Sequence, residues 1–102
     1  MCRNGDVTMI TKETALTAIK ALEVLEKRVR EHVEYNQEQA DLYEAQLKSK
    51  DAIITVSGGL EIKEEFKEES TARSLVFHRG EVLKKTPKLR EYQSALAELK
   101  SL

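Results

Sequence analysis

The chain has few of the residues that form tight turns, cross-link a fold or span a membrane. It contains four glycines, one proline, one cysteine and no tryptophan among 102 residues. A β-sandwich or barrel needs many tight turns, so this scarcity of glycine and proline argues against an all-β fold. The single cysteine, Cys2, excludes an intramolecular disulfide, and no apolar run approaches the ~18 residues of a membrane span. We therefore expect a cytoplasmic protein in a reducing environment, without a membrane partner.

The sequence also lacks the motifs of catalysis and of cofactor or metal binding. His32 and His78 are far apart in the sequence, and neither has a second strong ligand at helical spacing. The glycine-rich patterns that bind nucleotide phosphates and the glycine-flanked serine of hydrolases are both missing. We accordingly expect a protein that is not an enzyme and has no cofactor and no metal site.

What the chain has instead is charge, and the sign of the charge changes along the sequence. Charged residues make up 34% of the chain and the net charge is −1. Residues 51–70 sum to −4, from six acids and two lysines, whereas residues 71–102 sum to +4, from seven bases and three acids. A basic segment can bind nucleic-acid phosphates, which is the alternative function that the sequence suggests. The candidate contact residues are Arg73, Arg79, Lys84, Lys85, Lys88 and Arg90.

Residues 11–50 predict one long helix, because they contain neither glycine nor proline and are rich in good helix formers. Thr11 is the expected N-cap. A heptad repeat that starts with Ile19 at position a places mostly apolar residues on one stripe. Asn36 interrupts this stripe, and it either selects register and oligomer state or marks a bend between residues 34 and 39. The a and d positions are Ile19, Leu22, Glu26, Val29, Val33, Asn36, Ala40, Tyr43 and Leu47.

Residues 52–66 predict a β-hairpin, since a β-branched run precedes a pair of glycines. Gly58 and Gly59 suit a two-residue turn in which both residues have positive φ. Such a turn sets Thr55 opposite Ile62. One face of the hairpin then carries Ile53, Thr55, Leu60, Ile62 and Phe66.

The segment 74–83 has two interpretations. Residues 74–78 are typical of a strand and Gly80 of a turn, so we favour two further strands. The alternative is a helix, because residues from Leu75 onward also recur at spacings of three and four. These residues are Leu75, His78, Val82, Lys85, Leu89, Tyr92, Leu96 and Leu99.

The final element is a short helix over residues 87–100, with Thr86 as its N-cap and Pro87 at its first position. The expected fold class is therefore α+β and mostly helical. It comprises one domain over residues 9–102 after a disordered leader, residues 1–8. A long helix followed by a hairpin resembles the layout of prefoldin subunits, but a final helix this short does not fit that family.

The length of the first helix predicts self-association. Forty residues extend about 60 Å, whereas a compact domain of this size is roughly 33 Å across. The final helix would cover only about 20 Å of the apolar stripe. We expect a second copy to cover the rest, most simply in a homodimer. The residues expected to mediate it are Leu16, Ile19, Leu22, Val29, Val33 and Tyr43.

These features together predict a non-enzymatic protein-interaction module. It would self-associate through its long helix and dock on a larger protein partner as an adaptor, a regulator or an inhibitor. Small proteins without recognisable motifs are common among phage and accessory gene products.

Overall fold

The computed structural model describes residues 11–101. Within this range two long helices flank a small antiparallel sheet, which confirms the predicted α+β, mostly helical class. The leader predicted for residues 1–8, with Cys2, lies outside the described residues. The elements are helix α1 (Lys12–Ser49), strand β1 (Ile53–Val56), strand β2 (Gly59–Ile62), a 3-10 turn (Glu64–Phe66) and helix α2 (Ser70–Lys100).

Helix α1 begins where the sequence predicts. The hydroxyl oxygen of Thr11 accepts a hydrogen bond from the backbone N–H of Thr14 at 3.1 Å, which is the geometry of an N-cap. The helix then continues without a break to Ser49, so residues 34–39, where fraying or a bend was considered, are helical throughout. Neither α1 nor any other helix of the described part has an apolar stretch long enough to cross a membrane.

Helix α1 ends in a Schellman motif that turns the chain into the hairpin. The N–H of Ala52 donates to the carbonyl of Leu47 at 2.9 Å, and the N–H of Asp51 donates to that of Lys48 at 3.0 Å. Asp51 has a φ of 57°, in the left-handed region where glycine is usual. Because Leu47 and Ala52 are both fully buried, the apolar contact that accompanies this motif is also present.

The hairpin forms as predicted, but its register differs. Thr55 lies opposite Leu60 rather than Ile62, and Ile62 lies opposite Ile53. The predicted register was therefore wrong by two positions. Because side chains alternate between faces with a period of two, this shift leaves the predicted face intact. Ile53 and Ile62 pack on the buried core together with Phe66.

The turn of the hairpin explains the shift. Its two residues are Ser57 and Gly58, and Gly59 already belongs to strand β2. Among the described glycines only Gly59 has a positive φ, at 128°. The prediction that both Gly58 and Gly59 adopt positive φ was thus right for one of them. The glycine pair correctly indicated a turn, but the turn is centred one residue earlier than predicted.

The two strands favoured for residues 74–83 are not formed, and the short final helix is part of a longer one. Helix α2 runs unbroken from Ser70 to Lys100 and contains both Gly80 and Pro87. Thr86 is not an N-cap, since it lies within the helix and its hydroxyl donates to the carbonyl of Val82 at 2.6 Å. The short final helix predicted for residues 87–100 is therefore not a separate element.

The helical spacing, rather than the β-branched composition, predicts the buried face of α2. Every residue of that repeat, from Leu75 to Leu99, is buried or half-buried. Val76 and Phe77, which favoured a strand, are largely exposed on the opposite side. Pro87 cannot donate to the carbonyl of Leu83, but Leu83 is 76% exposed, so the helix tolerates the missing hydrogen bond beside solvent.

The described residues divide into two compact units, each with its own packing. We call Glu31–Thr86 the hairpin unit, and residues 11–30 with 87–101 the terminal unit. Leu96 is the buried hydrophobic residue of the terminal unit. The extent of a single domain over residues 9–102 stays a prediction. The core of the hairpin unit consists of Ala40, Leu47, Ala52, Ala72 and Leu75, with Tyr43, Ile53, Ile62 and Phe66 packed against it.

Candidate interaction site

A hydrogen-bonded pair, the buried Asn36 and the half-buried His78, connects the two helices of the hairpin unit. Asn36 is only 2% exposed, and its side-chain amide nitrogen donates to the carbonyl of His32 at 2.8 Å. Its amide oxygen lies 2.6 Å from Nδ1 of His78 on α2. Because an amide oxygen only accepts hydrogen bonds, His78 must carry its proton on Nδ1. Asn36 thus has a partner on both sides within the chain, at the position where the apolar stripe is interrupted.

Three aromatic rings surround the imidazole of His78. Tyr43 stacks on it with ring centroids 5.7 Å apart and an interplanar angle of 9°. Phe77 and Tyr35 approach it edge-on, at 5.2 Å and 6.2 Å between centroids. Phe77 and Tyr35 are also more than half exposed, so the cluster extends from the interior to the surface. Aromatic residues in this setting are typical of binding surfaces.

A second histidine contact lies one turn further along the helices. Nε2 of His32 is 3.0 Å from the carboxylate of Glu81, which also pairs with Lys84 at 3.3 Å. The hydrogen bond from His32 and then that from Lys84 hold the pKa of Glu81 below its usual value. Arg79 forms a further ion pair with Glu44 across the two helices. Polar contacts therefore fix how α1 and α2 pair within this unit.

A groove lies beside the aromatic cluster, between β2 and the exposed side of α2. It has a volume of about 680 Å³, within the range of ligand-binding clefts. Val76 and Phe77 form part of its wall and are 63% and 60% exposed. The lining residues are Leu60, Glu61, Ile62, Lys67, Arg73, Val76, Phe77 and Arg79. We call this feature the edge groove, because three consecutive residues of β2 border it.

The charged residues of the edge groove are mostly basic. Lys67, Arg73 and Arg79 face a single acid, Glu61. Arg73 pairs with Glu68 at 3.0 Å and Lys67 with Glu64 at 3.0 Å, and all four side chains are largely exposed. Exposed ion pairs of this kind contribute at most about 1 kcal/mol each. With the pair of Arg79 and Glu44, each of the three cations that line the groove has a glutamate partner.

The residues predicted to mediate self-association occupy two different environments. Leu16 is 57% exposed in the terminal unit, whereas the other five are half-buried within the single chain. The premise of a four-turn final helix was wrong, because α2 has 31 residues. Within the terminal unit Gln93 on α2 already reaches Glu26 on α1, at 3.3 Å. Self-association therefore stays a prediction, and it now depends on the exposed apolar residues of α1.

The predicted nucleic-acid contacts lie on more than one side of α2. Successive residues of a helix are rotated by about 100°, so Arg73 and Lys84 project within about 20° of each other, whereas Arg79 projects roughly 120° away from Arg73. Arg73, Arg79 and Lys84 are each paired with a glutamate. In the terminal unit Lys88 and Arg90 lie on opposite sides of α2 by the same geometry. Nucleic-acid binding by these residues and Lys85 stays a prediction.

Sequence reasoning missed both the Asn36–His78 pair and the edge groove. Both depend on residues 74–83 being helical, whereas strands were favoured there. The available signal was the spacing of Leu75, His78 and Val82, which brings His78 to the face that packs on α1. The same spacing predicts that Val76 and Phe77 lie on the side of α2 that faces away from α1, where they are exposed apolar residues.

Among residues 11–101, no group of three or more His, Cys, Asp or Glu side chains is arranged to hold a metal ion. Comparison with protein-family models, curated proteins and solved structures finds no significant match to this chain.

Proposed function

We propose that this protein is a non-enzymatic interaction module whose hairpin unit docks on a protein partner through the edge groove. The observation that carries the proposal is the exposure of Val76 and Phe77 beside a groove of about 680 Å³. Large apolar side chains next to a concave surface are typical of interaction sites, because a partner removes them from water. A cytoplasmic location is part of the proposal, since the single cysteine suits a reducing environment.

Rigid support behind the exposed residues favours the same function. Phe77 is held edge-on against His78, and His78 is fixed by Asn36 and by the stacked ring of Tyr43. A residue that is already ordered loses little conformational entropy when a partner binds. The aromatic cluster thus supplies a preorganised anchor at the wall of the groove.

Site-specific photocrosslinking in the native host tests this proposal. Phe77→p-benzoylphenylalanine should give a covalent adduct with one protein, identifiable by mass spectrometry of the cross-linked peptides. Leu83→p-benzoylphenylalanine is the matched control, because Leu83 is even more exposed on α2 than Phe77 but does not line the groove. The adduct at position 77 should be lost when Val76→Ser is added. Identical adducts at positions 77 and 83, or no adduct at position 77, would contradict the proposal.

Self-association through α1 is a second part of the proposal. The terminal unit exposes Leu16, Val24 and Leu25 on α1, and all three are large apolar residues. Leu16 and Val24 project within about 80° of each other, so a second copy that covers these two side chains would remove them from water together. The interface with a protein partner, in the hairpin unit, uses different residues, so the two associations are testable separately.

A further inference from the structure

The outer side of α1 in the hairpin unit carries two large apolar side chains, Tyr35 and Leu42, that are more than half exposed. They are seven residues apart on a continuous helix, so they project within about 20° of each other and lie about 10 Å apart along its axis. The core contacts α1 on the other side, through Ala40 and Leu47. Tyr35 and Leu42 thus form a second apolar stripe, which we call the outer stripe.

Tyr35 is ordered by the residues behind it. Its ring meets the imidazole of His78 edge-on, and His78 is hydrogen-bonded to the buried Asn36. An ordered side chain loses little conformational entropy on binding, and tyrosine is enriched among the residues that dominate binding energies. Apolar residues at a spacing of seven match a second helix that packs lengthwise on the first.

Carboxylates flank the outer stripe on one side. Residues 31–47 contain five acids and no lysine or arginine. Glu44 is paired, with Lys48 and Arg79. The other four acids are exposed, form no ion pair with any residue of the range 11–101, and project about 30–110° to one side of the stripe. These four are Glu31, Glu34, Glu38 and Asp41.

The unpaired state of these carboxylates distinguishes them from the acids that follow the hairpin. Glu64, Glu68 and Glu69 each pair with a lysine or an arginine. Along α1 the four acids instead follow one another at spacings of three and four, at which like charges repel. Lys27 and Arg28, one turn before Glu31, form no ion pair with it. Cations from a partner would therefore relieve a repulsion that the chain itself leaves in place.

The same charges select the occupant of the outer stripe. A second α1 laid along it, parallel or antiparallel, would bring carboxylates against carboxylates. Nucleic acid is disfavoured for the same reason, because its phosphates are also negative. A lysine or arginine beside Tyr35 gains additionally from the face of the aromatic ring. Apolar contact and charge together favour a partner that is both amphipathic and basic.

We propose that the outer stripe and its four carboxylates bind a basic amphipathic helix of another protein. Apolar side chains of that helix cover Tyr35 and Leu42, and its lysines and arginines pair with the flanking acids. Charges beside an apolar helix seam select partners in this way. The inference goes beyond the proposed function, because this surface shares no residue with the edge groove.

The test uses the full chain, labelled with ¹⁵N, and the peptide acetyl-Arg-Leu-Ala-Arg-Lys-Leu-Ala-Arg-Leu-Ala-Arg-Lys-Leu-Ala-amide. As a helix, this peptide has one leucine stripe with its bases on one flank. We expect saturable shifts of the Tyr35, Glu38 and Leu42 amide resonances, with a Kd below about 1 mM. A peptide of the same composition without the stripe should bind at least about tenfold more weakly. Equal binding of both peptides, no shifts up to about 5 mM, or shifts confined to residues 61–69 would overturn the proposal.

A proline in place of the central alanine of the peptide tests whether the partner binds as a helix. Proline breaks a helix in its interior, so this peptide should not bind. Unchanged affinity would show that helicity is not needed, and the proposal would be wrong. Concentration-dependent shifts at Tyr35 and Leu42 without any peptide would mean that a second copy covers the stripe, which also overturns the proposal.

Protein variants test the two components of the surface separately. Leu42→Ser should weaken binding about tenfold, through the lost apolar contact. Glu31→Lys with Glu38→Lys should abolish binding of the basic peptide and create binding of its counterpart with glutamate at every basic position. Glu91→Lys, a change of an exposed and unpaired glutamate on α2, should alter neither. Thermal unfolding confirms that each variant is folded, and wild-type affinity of the charge-reversed variant for the basic peptide would refute the proposal.

Discussion

The amide oxygen of Asn36 and Nδ1 of His78 lie 2.6 Å apart in an interior that is otherwise apolar. Any sliding of α2 against α1 within the hairpin unit would separate these atoms and leave the amide oxygen of the buried Asn36 without its acceptor contact to His78. A buried polar pair of this kind adds specificity, because only one register satisfies it. The polar residue in the stripe of α1 thus has a partner in the same chain.

The Asn36–His78 pair predicts a strong dependence of stability on either residue alone. Asn36→Leu should lower the free energy of unfolding by about 1–3 kcal/mol, because His78 Nδ1 loses its acceptor. The double variant Asn36→Leu with His78→Leu should be closer to wild type than the sum of the single changes. Urea unfolding of the four proteins measures this. Additive effects within about 0.3 kcal/mol would show that the two residues are not coupled.

Glu81 predicts a loss of stability in acid. Its hydrogen bonds to His32 and Lys84 lower its pKa in the folded state below the usual value of 4.5. The native state therefore holds this proton less tightly than the unfolded state does, so the stabilisation is complete above pH 4.5 and is lost as the pH falls through the lowered pKa. Urea unfolding of wild type and Glu81→Gln across this range should show the two stabilities converging in acid.

The matched control for Glu81 is Glu34→Gln, an exposed change on α1. If Glu81→Gln behaves in the same way as Glu34→Gln, the hydrogen bonds at Glu81 do not stabilise the fold.

The left-handed backbone conformation of Asp51 predicts that a glycine at this position, at the end of α1, stabilises the fold. Asp51→Gly should raise the free energy of unfolding by about 0.5–1 kcal/mol, because glycine adopts the φ of 57° without strain. The ion pair that Asp51 forms with Lys63 at 3.2 Å is exposed and contributes little. Asp51→Val should destabilise by about 1–2 kcal/mol. Thermal unfolding measures the melting temperatures of the three proteins. Asp51→Gly should melt highest, the wild type next and Asp51→Val lowest, and any other order would contradict the prediction.

Replacement by alanine should have opposite effects on stability at Gly80 and at Gly59. Gly80→Ala should stabilise the protein by about 0.5–1 kcal/mol, since Gly80 lies inside α2 and an added methyl group meets no atom within 4 Å. Gly59→Ala should destabilise it by about 1–3 kcal/mol because of the φ of 128°. Chemical denaturation measures both. A destabilising Gly80→Ala would indicate that α2 does not continue through this position.

Self-association predicts a concentration-dependent mass. Sedimentation equilibrium at micromolar concentration should show a dimer, and Leu16→Asp with Val24→Asp should convert it to a monomer, because charges placed on the contact surface would lose their hydration on association. Leu42→Asp is the control, an equally exposed change on α1 in the hairpin unit. A wild-type mass of 11.6 kDa at all concentrations would exclude the dimer.

The sequence predicted the helical stripe of α1 and the hairpin but not the continuation of α2. The stripe was predictable because nothing in residues 11–50 opposes a helix. In α2 local and global preferences disagree: Val76, Phe77 and Gly80 favour a strand and a turn, while Leu75 and Ala72 find burial against α1 only in a helix. Tertiary packing decided between them, and propensity alone does not report on packing.

The edge groove was not predictable for a related reason. Its wall comes from β2 and α2, so it exists only once the hairpin register and the length of α2 are both known. The register depended on whether the turn centres on Ser57 and Gly58 or one residue later. A change of that size in the turn moves the pairing partner of every residue in β2 while leaving the hydrophobic pattern the same.

The open edge of β2 also bears on how the chain avoids aggregation. Unpaired strands can template growth with identical strands of other molecules. Strand β2 has only four residues, and Glu61 and Lys63 place opposite charges at and next to its end. Short length and charge are the usual protections of an exposed edge. The short length of β2 and these charges therefore limit pairing of its exposed edge with the same strand of another molecule.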